Sequence, residues 1–415
     1  MALAVSACVP GATEAQPFEG IWRSQGFGSY ILVSGGDVEV FEHTSISCVK
    51  VVASSARGIA EVVRLEENRL ILEDRGRTVR FDPVPLLPES CVEEFFDGSP
   101  RHTLEVLAAT LEEHYLPALD SGWDSRLAEA MAGLAGDSAA EEVFAVVTRL
   151  LAPLADPGVQ LVAPDVFDGV WVAEPDPIVG AVAARIGAGG GLAPGFEVDG
   201  EGGIIVGEAG GTSYFGVLRL ARYLEDGDED DDEQILGRAL DRALLSDGAE
   251  VGLILDLRAS GGGIEALALL VATRFVPVET IVAKRRARIV GSGERTDAGD
   301  VVVRPLPTGV HRGPVVVLIG PGTSGGGELL AQALGSLGNV TLIGEPTAGV
   351  PGQPLVRVLP HRWTVGIPHQ DFLLPDGTIL GADGVMPDVV VETSVADIDA
   401  GVDPQLEAAV DLLSG

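Results

Sequence analysis

Residues 314–344 read PVVVLIGPGTSGGGELLAQALGSLGNVTLIG: an apolar run, a glycine-rich turn, an amphipathic stretch and a second apolar run. A run that is apolar at every position rather than every second one suits a strand buried on both faces. Two such strands joined through a helix make a parallel pair by a right-handed crossover. The same alternation precedes it, with SYFGVLRL as a strand, DEQILGRALDRALLS as a helix, VGLILDL as a strand and GGGIEALALLVATRF as a helix. The pattern predicts an α/β core with a mainly parallel sheet over 213–395. A helix in 396–415 follows, starting near Asp403 with Pro404 in its first turn.

Upstream the period changes. Residues 17–94 hold the short runs GSYILVSGG, DVEVFEH, VKVVAS, LILEDR and TVRFDPV between glycine and charged turns, and predict a small antiparallel β module. Residues 95–160 place apolar side chains at i, i+3, i+4 and i+7 in HTLEVLAATLEEHYLPAL and AEEVFAVVTRLLAPLA, which predicts a helical region. Residues 161–212, rich in Gly, Pro and Asp, read as an irregular β segment. A chain of 415 residues that is 46% hydrophobic can bury a large core divided among two or three units.

A formal net charge of −35 repels phosphate backbones and anionic lipid, which removes nucleic acid from the partners and leaves neutral, apolar or basic ones. No run reaches the ~18 apolar residues of a membrane-spanning helix. The acidic run at 225–233 lacks the glycine and terminal Glu of a calcium loop and reads as solvated. The six histidines are scattered without metal-ligand spacing, so neither a metal nor another cofactor is expected.

The N-terminal stretch 1–16 contains VSAC ending at Cys8, which looks like a bacterial lipobox preceded by a short remnant of a signal. Cys48 and Cys91 form an even pair that suits a disulfide in an oxidising compartment, or two buried thiols. Lipobox and paired cysteines together point to export, to the periplasm or cell envelope, with a possible lipid tether at Cys8.

Three stretches carry candidate chemistry. DLRASGGG at 256–263 ends a buried strand in glycines whose N–H groups can contribute to an oxyanion hole. GTSGGGE at 322–328 opens a helix, where further N–H groups and the positive end of the helix dipole gather. LPDGTILGADGVMPDVVVE at 374–392 is a turn followed by a strand. In this order they resemble the tail-specific, or C-terminal processing, serine protease family, with the tricorn core and the interphotoreceptor retinoid-binding protein among its relatives. Asp256, Leu257, Arg258, Gly262 and Gly263 match the family's Asp-Leu-Arg-x-Asn-x-Gly-Gly, with Ser260 in place of Asn. GEPTAG at 344–349 and GVMPDV at 384–389 match two later signatures. The resemblance spans roughly residues 100–395 and implies a crotonase/ClpP-like core and serine-type hydrolysis of peptide bonds.

The family's catalytic positions fall on side chains that cannot act. With Thr323 and Glu328 as anchors for Thr-x-Ser-x-x-Glu, the nucleophilic serine falls on Gly325. The general base of the Ser–Lys branch falls on Val350, and the chain's two lysines, Lys50 and Lys284, lie far from it in sequence. In the tricorn-like branch the base histidine falls on Gly158 of DPGV and the orienting Glu on Gly381. A glycine offers no group to attack, accept a proton or hold an imidazole. Three readings follow. One is a pseudoprotease whose Gly262, Gly263 and Gly326 bind a peptide or protein C-terminus or an apolar ligand. Another is an active serine peptidase using Ser324, with His361 or His369 as base and Asp371 or Asp383 as its partner. The third is a scaffold in which Asp256 and Arg258 only tie loops together.

Overall fold

The structure, a computed structural model, describes residues 18–55, 63–74, 77–92, 98–173, 176–220, 223–224, 229–245, 252–297, 299–306 and 310–414. The candidate lipobox at Cys8 and residues 225–228 of the acidic run lie outside the described residues. The chain forms two compact units. The first comprises Met1–Glu174, Arg286–Gly299 and Pro354–Gln370; the second comprises Pro175–Arg285, Asp300–Gln353 and Asp371–Gly415.

In the first unit the β module is a seven-stranded sheet. Gly20–Ser24 lies at its centre between Ser29–Ser34 and Arg77–Val84, and every pairing is antiparallel. Alternation sends Trp22, Ile31, Val33, Leu70 and Phe81 to one face and Tyr30 and Phe41 to the other. On that second face Cys48 and Cys91 are joined in a disulfide, with their Cα atoms 4.9 Å apart. The paired-cysteine expectation therefore holds.

The helical region consists of Pro100–His114, Trp123–Gly133 and Ala140–Leu151. Ser99 caps the first by accepting from the His102 N–H, and Pro100 occupies the first turn, where its missing donor costs nothing. The third buries Val143, Val147, Leu150 and Leu151, the stripe that its 3.6-residue period requires. These side chains share a core with a four-stranded antiparallel sheet made of Leu355–Val358, Thr364–Ile367, Gln160–Val162 and Trp171–Val172. Trp363 is fully buried there, and its Nε1–H donates to Asp165 Oδ1 at 2.6 Å, so the indole's one polar atom is satisfied.

The second unit is built on another seven-stranded sheet, in the order Glu197–Asp199, Ile204–Ala209, Thr212–Val217, Leu253–Asp256, Val315–Ile319, Val340–Gly344, Val389–Val390. The first three strands are antiparallel, and the pairings from Thr212–Val217 onward are parallel, as the sequence alternation predicts. Both faces are covered. Val315, Val317 and Ile319 point into a core with the helices Glu229–Leu245, Glu265–Ala272 and Gly326–Gly335. Val316 and Leu318 point the opposite way, toward Val182, Ile186, Leu406 and Ala409. Double coverage is why these strands read as unbroken apolar runs.

Within 161–212 the structure departs from the irregular β reading. Residues Pro177–Gly187 form a helix that buries Val182 and Ile186. Asp176 Oδ1 accepts from the Ile178 N–H at 2.9 Å, and Pro177 fills the first turn. The Asp-Pro start signal is present in the sequence, but the alanines and glycines around it hide the apolar stripe.

Candidate active-site turn

The parallel strands Leu253–Asp256, Val315–Ile319 and Val340–Gly344 all end on the same edge of the sheet, so the loops that follow them converge. The 259–263 loop meets the 320–325 turn through Ser324 N–H to Ser260 O at 3.0 Å and Thr323 Oγ1–H to Leu257 O at 2.8 Å. Ala348 N–H to Thr323 O at 3.0 Å adds the third loop.

Gly325 is buried at φ 55°, ψ −120°. That is the first central position of a type II′ turn, which an L side chain enters only under strain. The same sharp strand-to-helix geometry is how α/β hydrolases present a nucleophilic serine. The backbone at Gly325 thus has the sharp strand-to-helix turn of a nucleophile elbow, with Ser324 immediately before it. A Cβ placed on Gly325 would lie 3.2 Å from Gly262 Cα and 4.0 Å from Gly263 N, so it would face the 259–263 loop. Among the described residues, the N–H groups of Gly262, Gly263 and Gly326 donate to no backbone carbonyl. The helix start packs closely on that loop, because a Cβ on Gly327 would stand 3.1 Å from Ser260 Oγ. Glycines at 325–327 allow both the turn and this approach.

Glu328, in the first turn of the following helix, is fully buried. Its Oε1 accepts from the Thr347 hydroxyl at 2.5 Å and the Gly349 N–H at 2.8 Å, and its Oε2 from the Val350 N–H at 2.7 Å. Burial pushes this carboxyl up to about 7 against the pull of those donors. Thr347 Oγ1 in turn accepts from the Val385 N–H at 2.7 Å. Val350 O receives the Gly325 N–H at 2.9 Å, so one carboxyl connects the helix start, the 347–350 loop and the turn at Gly325.

Arg258 does not face this turn. It is buried against Asp256 on one side and Asp403 on the other, with Arg258 Nη2 2.6 Å from Asp256 Oδ2 and Nη1 2.7 Å from Asp403 Oδ1. The Tyr214 hydroxyl donates to Asp256 Oδ2 at 2.8 Å. The Asp-Leu-Arg match thus works as a clamp between the end of a central strand and the start of the helix Pro404–Ser414.

The structure brings together Ser324, Gly325, Gly326, Gly262, Gly263 and Val350. Gly381 lies on the adjoining loop, where Ala382 O would be 2.5 Å from a Cβ on Gly349. Gly158, His361 and His369 belong to the first unit, and Asp371 and Asp383 to the second. There Gly158 N–H donates to Asp156 Oδ1 at 2.8 Å, His361 lies tilted 5.6 Å from the Trp363 ring, and His369 meets Phe27 edge-on at 5.0 Å. Asp383 is exposed on its turn, and Asp371 is buried. Ser324 is half-buried, and among the described residues no side chain hydrogen-bonds its Oγ. No group of three or more His, Cys, Asp or Glu side chains among the described residues is arranged to hold a metal. Sequence reasoning used Glu328 only as an anchor for the motif; an acidic residue in the first turn of an otherwise apolar helix was the available signal of its role.

Residues 216–391 match peptidase family S41. The carboxyl-terminal-processing protease of Synechocystis sp. (strain ATCC 27184 / PCC 6803 / Kazusa) is 31% identical over 167 residues, 40% of this chain and 37% of the relative. The carboxy-terminal processing protease CtpA of Bacillus subtilis (strain 168) is 28% identical over 141 residues, 34% of this chain and 28% of the relative. The chain thus spans well under half the length of the curated relatives it matches. Among solved structures, a Parabacteroides merdae ATCC 43184 protein described as a candidate peptidase superposes with a TM-score of 0.58 at 20% identity, over 77% of this chain and 98% of that one. Mature CPAF complexed with lactacystin superposes with a TM-score of 0.53 at 11% identity, over 76% of this chain and 97% of that one. These likenesses show a shared fold.

Proposed function

We propose, from the premise that residues 216–391 are a peptidase family S41 domain, that this chain is an exported member of the family that binds extended peptides through their C-terminal ends and does not cleave them. The observation that carries the reading is Gly325: its backbone holds the nucleophile-elbow conformation, yet it bears no side chain. What remains, the N–H groups of Gly262, Gly263 and Gly326 beside the start of a helix, favours a carboxylate or a carbonyl. The relatives named for carboxyl-terminal processing make a peptide end the natural ligand class. Export rests on the Cys48–Cys91 disulfide, a bond that persists in oxidising compartments. Lipid attachment at Cys8 belongs to the same proposal.

The test sets wild type beside Ser324→Ala and Gly325→Ser, with an unstructured protein and apolar-tailed peptides as substrates. Loss of nucleophile and base costs a serine hydrolase on the order of 10⁶ in kcat, so no cleavage above background is expected from wild type or Ser324→Ala. Gly325→Ser is expected to stay inactive as well, because a serine hydroxyl without an adjacent base is a weak nucleophile. Peptides ending in a free carboxylate should bind, and their amidated forms should bind at least tenfold more weakly. Cleavage that disappears in Ser324→Ala would instead establish an active peptidase with a displaced nucleophile.

A further inference from the structure

Within the first unit, the β module and the helical region keep separate apolar cores. Trp22, Ile31, Val33, Leu70 and Phe81 belong to one, and Leu104, Leu107, Val143 and Val147 to the other, to which the module adds Phe27 and the half-buried Val79. Around Phe27 the contact is polar. Arg357, buried, donates through Nη2 to Phe27 O and through Nη1 to Val356 O at 3.0 Å. The Val358 N–H donates to Glu42 Oε2 at 3.1 Å, and the Ser45 N–H to Glu113 Oε1 at 2.7 Å. Against the same turn lies His114, the last residue of the helix Pro100–His114. Its side chain is 0% exposed, and among the described residues neither ring nitrogen has a hydrogen-bond partner. Gly28, at φ 57°, makes room for it: a Cβ there would stand 2.5 Å from His114 Nε2 and 2.8 Å from His43 O.

We propose that this seam is an acid-released joint: neutral His114 lets the β module close on the helical region, and its protonation frees the 25–29 turn and the 43–47 loop from the helix end. The joint is independent of whether the α/β core binds or cleaves peptides. The physical reason is solvation. An imidazolium carries two N–H donors, each of which needs water or an acceptor. The closed seam supplies neither: Glu113 Oε2, 3.9 Å from His114 Nε2, lies beyond hydrogen-bond distance, and the other oxygen of that carboxylate is engaged by Ser45. Arg357 fixes a positive charge on the carbonyl next to Gly28, so a second charge there meets repulsion that little solvent screens. Burial accordingly pushes the His114 imidazole down to about 3, with Arg357, His43 and Arg288 adding to the effect and the His43 carbonyl opposing it. Opened, the ring meets water and takes up a proton at its ordinary value near 6.5. Because the closed value is the lower one, the closed state is fully favoured above about pH 6.5 and loses ground as the pH falls toward the closed value.

The other titratable and charged groups at the seam are engaged or act in the same direction. His43, half-buried and edge-on to Tyr30 at 5.3 Å, is also pushed down, by burial first and then by Arg23 and Arg357 against the pull of Glu113. Glu42 accepts from Val358 through Oε2, and its Oε1 stands 4.0 Å from Arg357 Nη1. Glu112, on the helix of His114, accepts from Trp123 Nε1 at 3.3 Å. Arg288 comes from the 286–299 segment, where it pairs with Arg295 in an antiparallel bridge. His369 meets Phe27 edge-on, so a charge on that ring adds to the charge on the same turn.

Hydrogen exchange of the full chain, followed by mass spectrometry from pH 7.5 to 5 and corrected for intrinsic rates, tests the joint. Residues 25–29 and 43–47 should lose roughly thirtyfold in protection across that range, the factor by which opening gains when the closed and open values are about 3 and 6.5. Residues 69–72 and 143–151, in the two cores, should lose less than about threefold, because opening the seam leaves both cores intact. His114→Gln has no titrating ring and should cut the loss at the seam to under about fivefold, the remainder belonging to His43. Arg357→Met removes the fixed charge, raises the closed value of His114 and should also shrink the loss. The wild-type profile is decisive even where a variant fails to fold. No loss at the seam by pH 5, or an equal loss in residues 143–151, would overturn the joint, as would a His114→Gln profile like wild type's.

Discussion

Arg258→Met is expected to lower the unfolding free energy by about 3–5 kcal/mol, because it leaves Asp256 and Asp403 as buried carboxylates without their shared cation. Arg258 donates to both partners and also to Gln405 Oε1 at 3.2 Å, so removing it breaks one network at several points. Arg185 Nε lies 3.7 Å from Asp403 Oδ2, too loosely placed to substitute. Equilibrium denaturation of the full chain by urea, read by a probe in the second unit, checks the value. Arg258→Met/Asp403→Leu should recover part of the loss, since it removes one of the two buried carboxylates left without a cation and leaves only Asp256 unpaired. A loss below about 1 kcal/mol for the single variant would mean that the cluster is hydrated.

The clamp also sets an acid limit. Burial by itself would push the Asp403 carboxyl up, but the Arg258 charge and hydrogen bonds outweigh that and hold it below the ordinary value. A carboxyl lowered in the folded state contributes stability that is complete above its unfolded value, near 3.8, and is lost as the pH falls through the folded one. Asp403→Asn should therefore flatten the acid limb of the stability profile below about pH 4, while lowering stability at neutral pH.

The second large effect concerns the disulfide. Cys48 and Cys91 are 43 residues apart in sequence, and closing a loop of that length removes unfolded-state entropy worth about 4 kcal/mol. Cys48→Ser/Cys91→Ser should lower the stability of the β module by about that amount, and thermal melting with and without reductant measures it. Reductant should shift the wild-type transition down to that of the double variant and leave the double variant unmoved. Because the bond lies beside Tyr30 and Phe41 in a buried cluster, the two serines also place hydroxyls among apolar side chains. Comparison with Cys48→Ala/Cys91→Ala separates that cost from the cross-link. Two titratable thiols in native protein from an oxidising compartment would remove both this prediction and the main support for export.

Much of the fold was legible because period and burial are local signals. The double-sided apolar runs at 253–256 and 315–319 announced a covered parallel sheet, and the 3.6-residue stripe of Ala140–Leu151 announced a core helix. The order of DLRASGGG, GTSGGGE, GEPTAG and GVMPDV indicates the family, because each signature is a contiguous stretch of residues. Pro177–Gly187 escaped, because small residues make a packed helix face look like a loop. The distribution of 286–299 and 354–370 into the first unit was equally invisible, since those segments leave the α/β stretch and return to it without a change in composition.

By itself the sequence places glycine at 158, 325 and 381 and valine at 350, the positions on which the family's catalytic residues fall by resemblance. It also determined the local strand–turn–helix at 315–335, because propensity and glycine placement act over a few residues. Tertiary structure decided the rest. Arg258 clamps Asp403, 145 residues away. Glu328 reaches Thr347, Gly349 and Val350 across a helix and a strand, and Pro351 pairs with Gly325. Each of these contacts joins residues that the sheet brings together at the ends of its strands. A pairing between distant segments leaves no periodic trace in either, so only the folded chain can specify it.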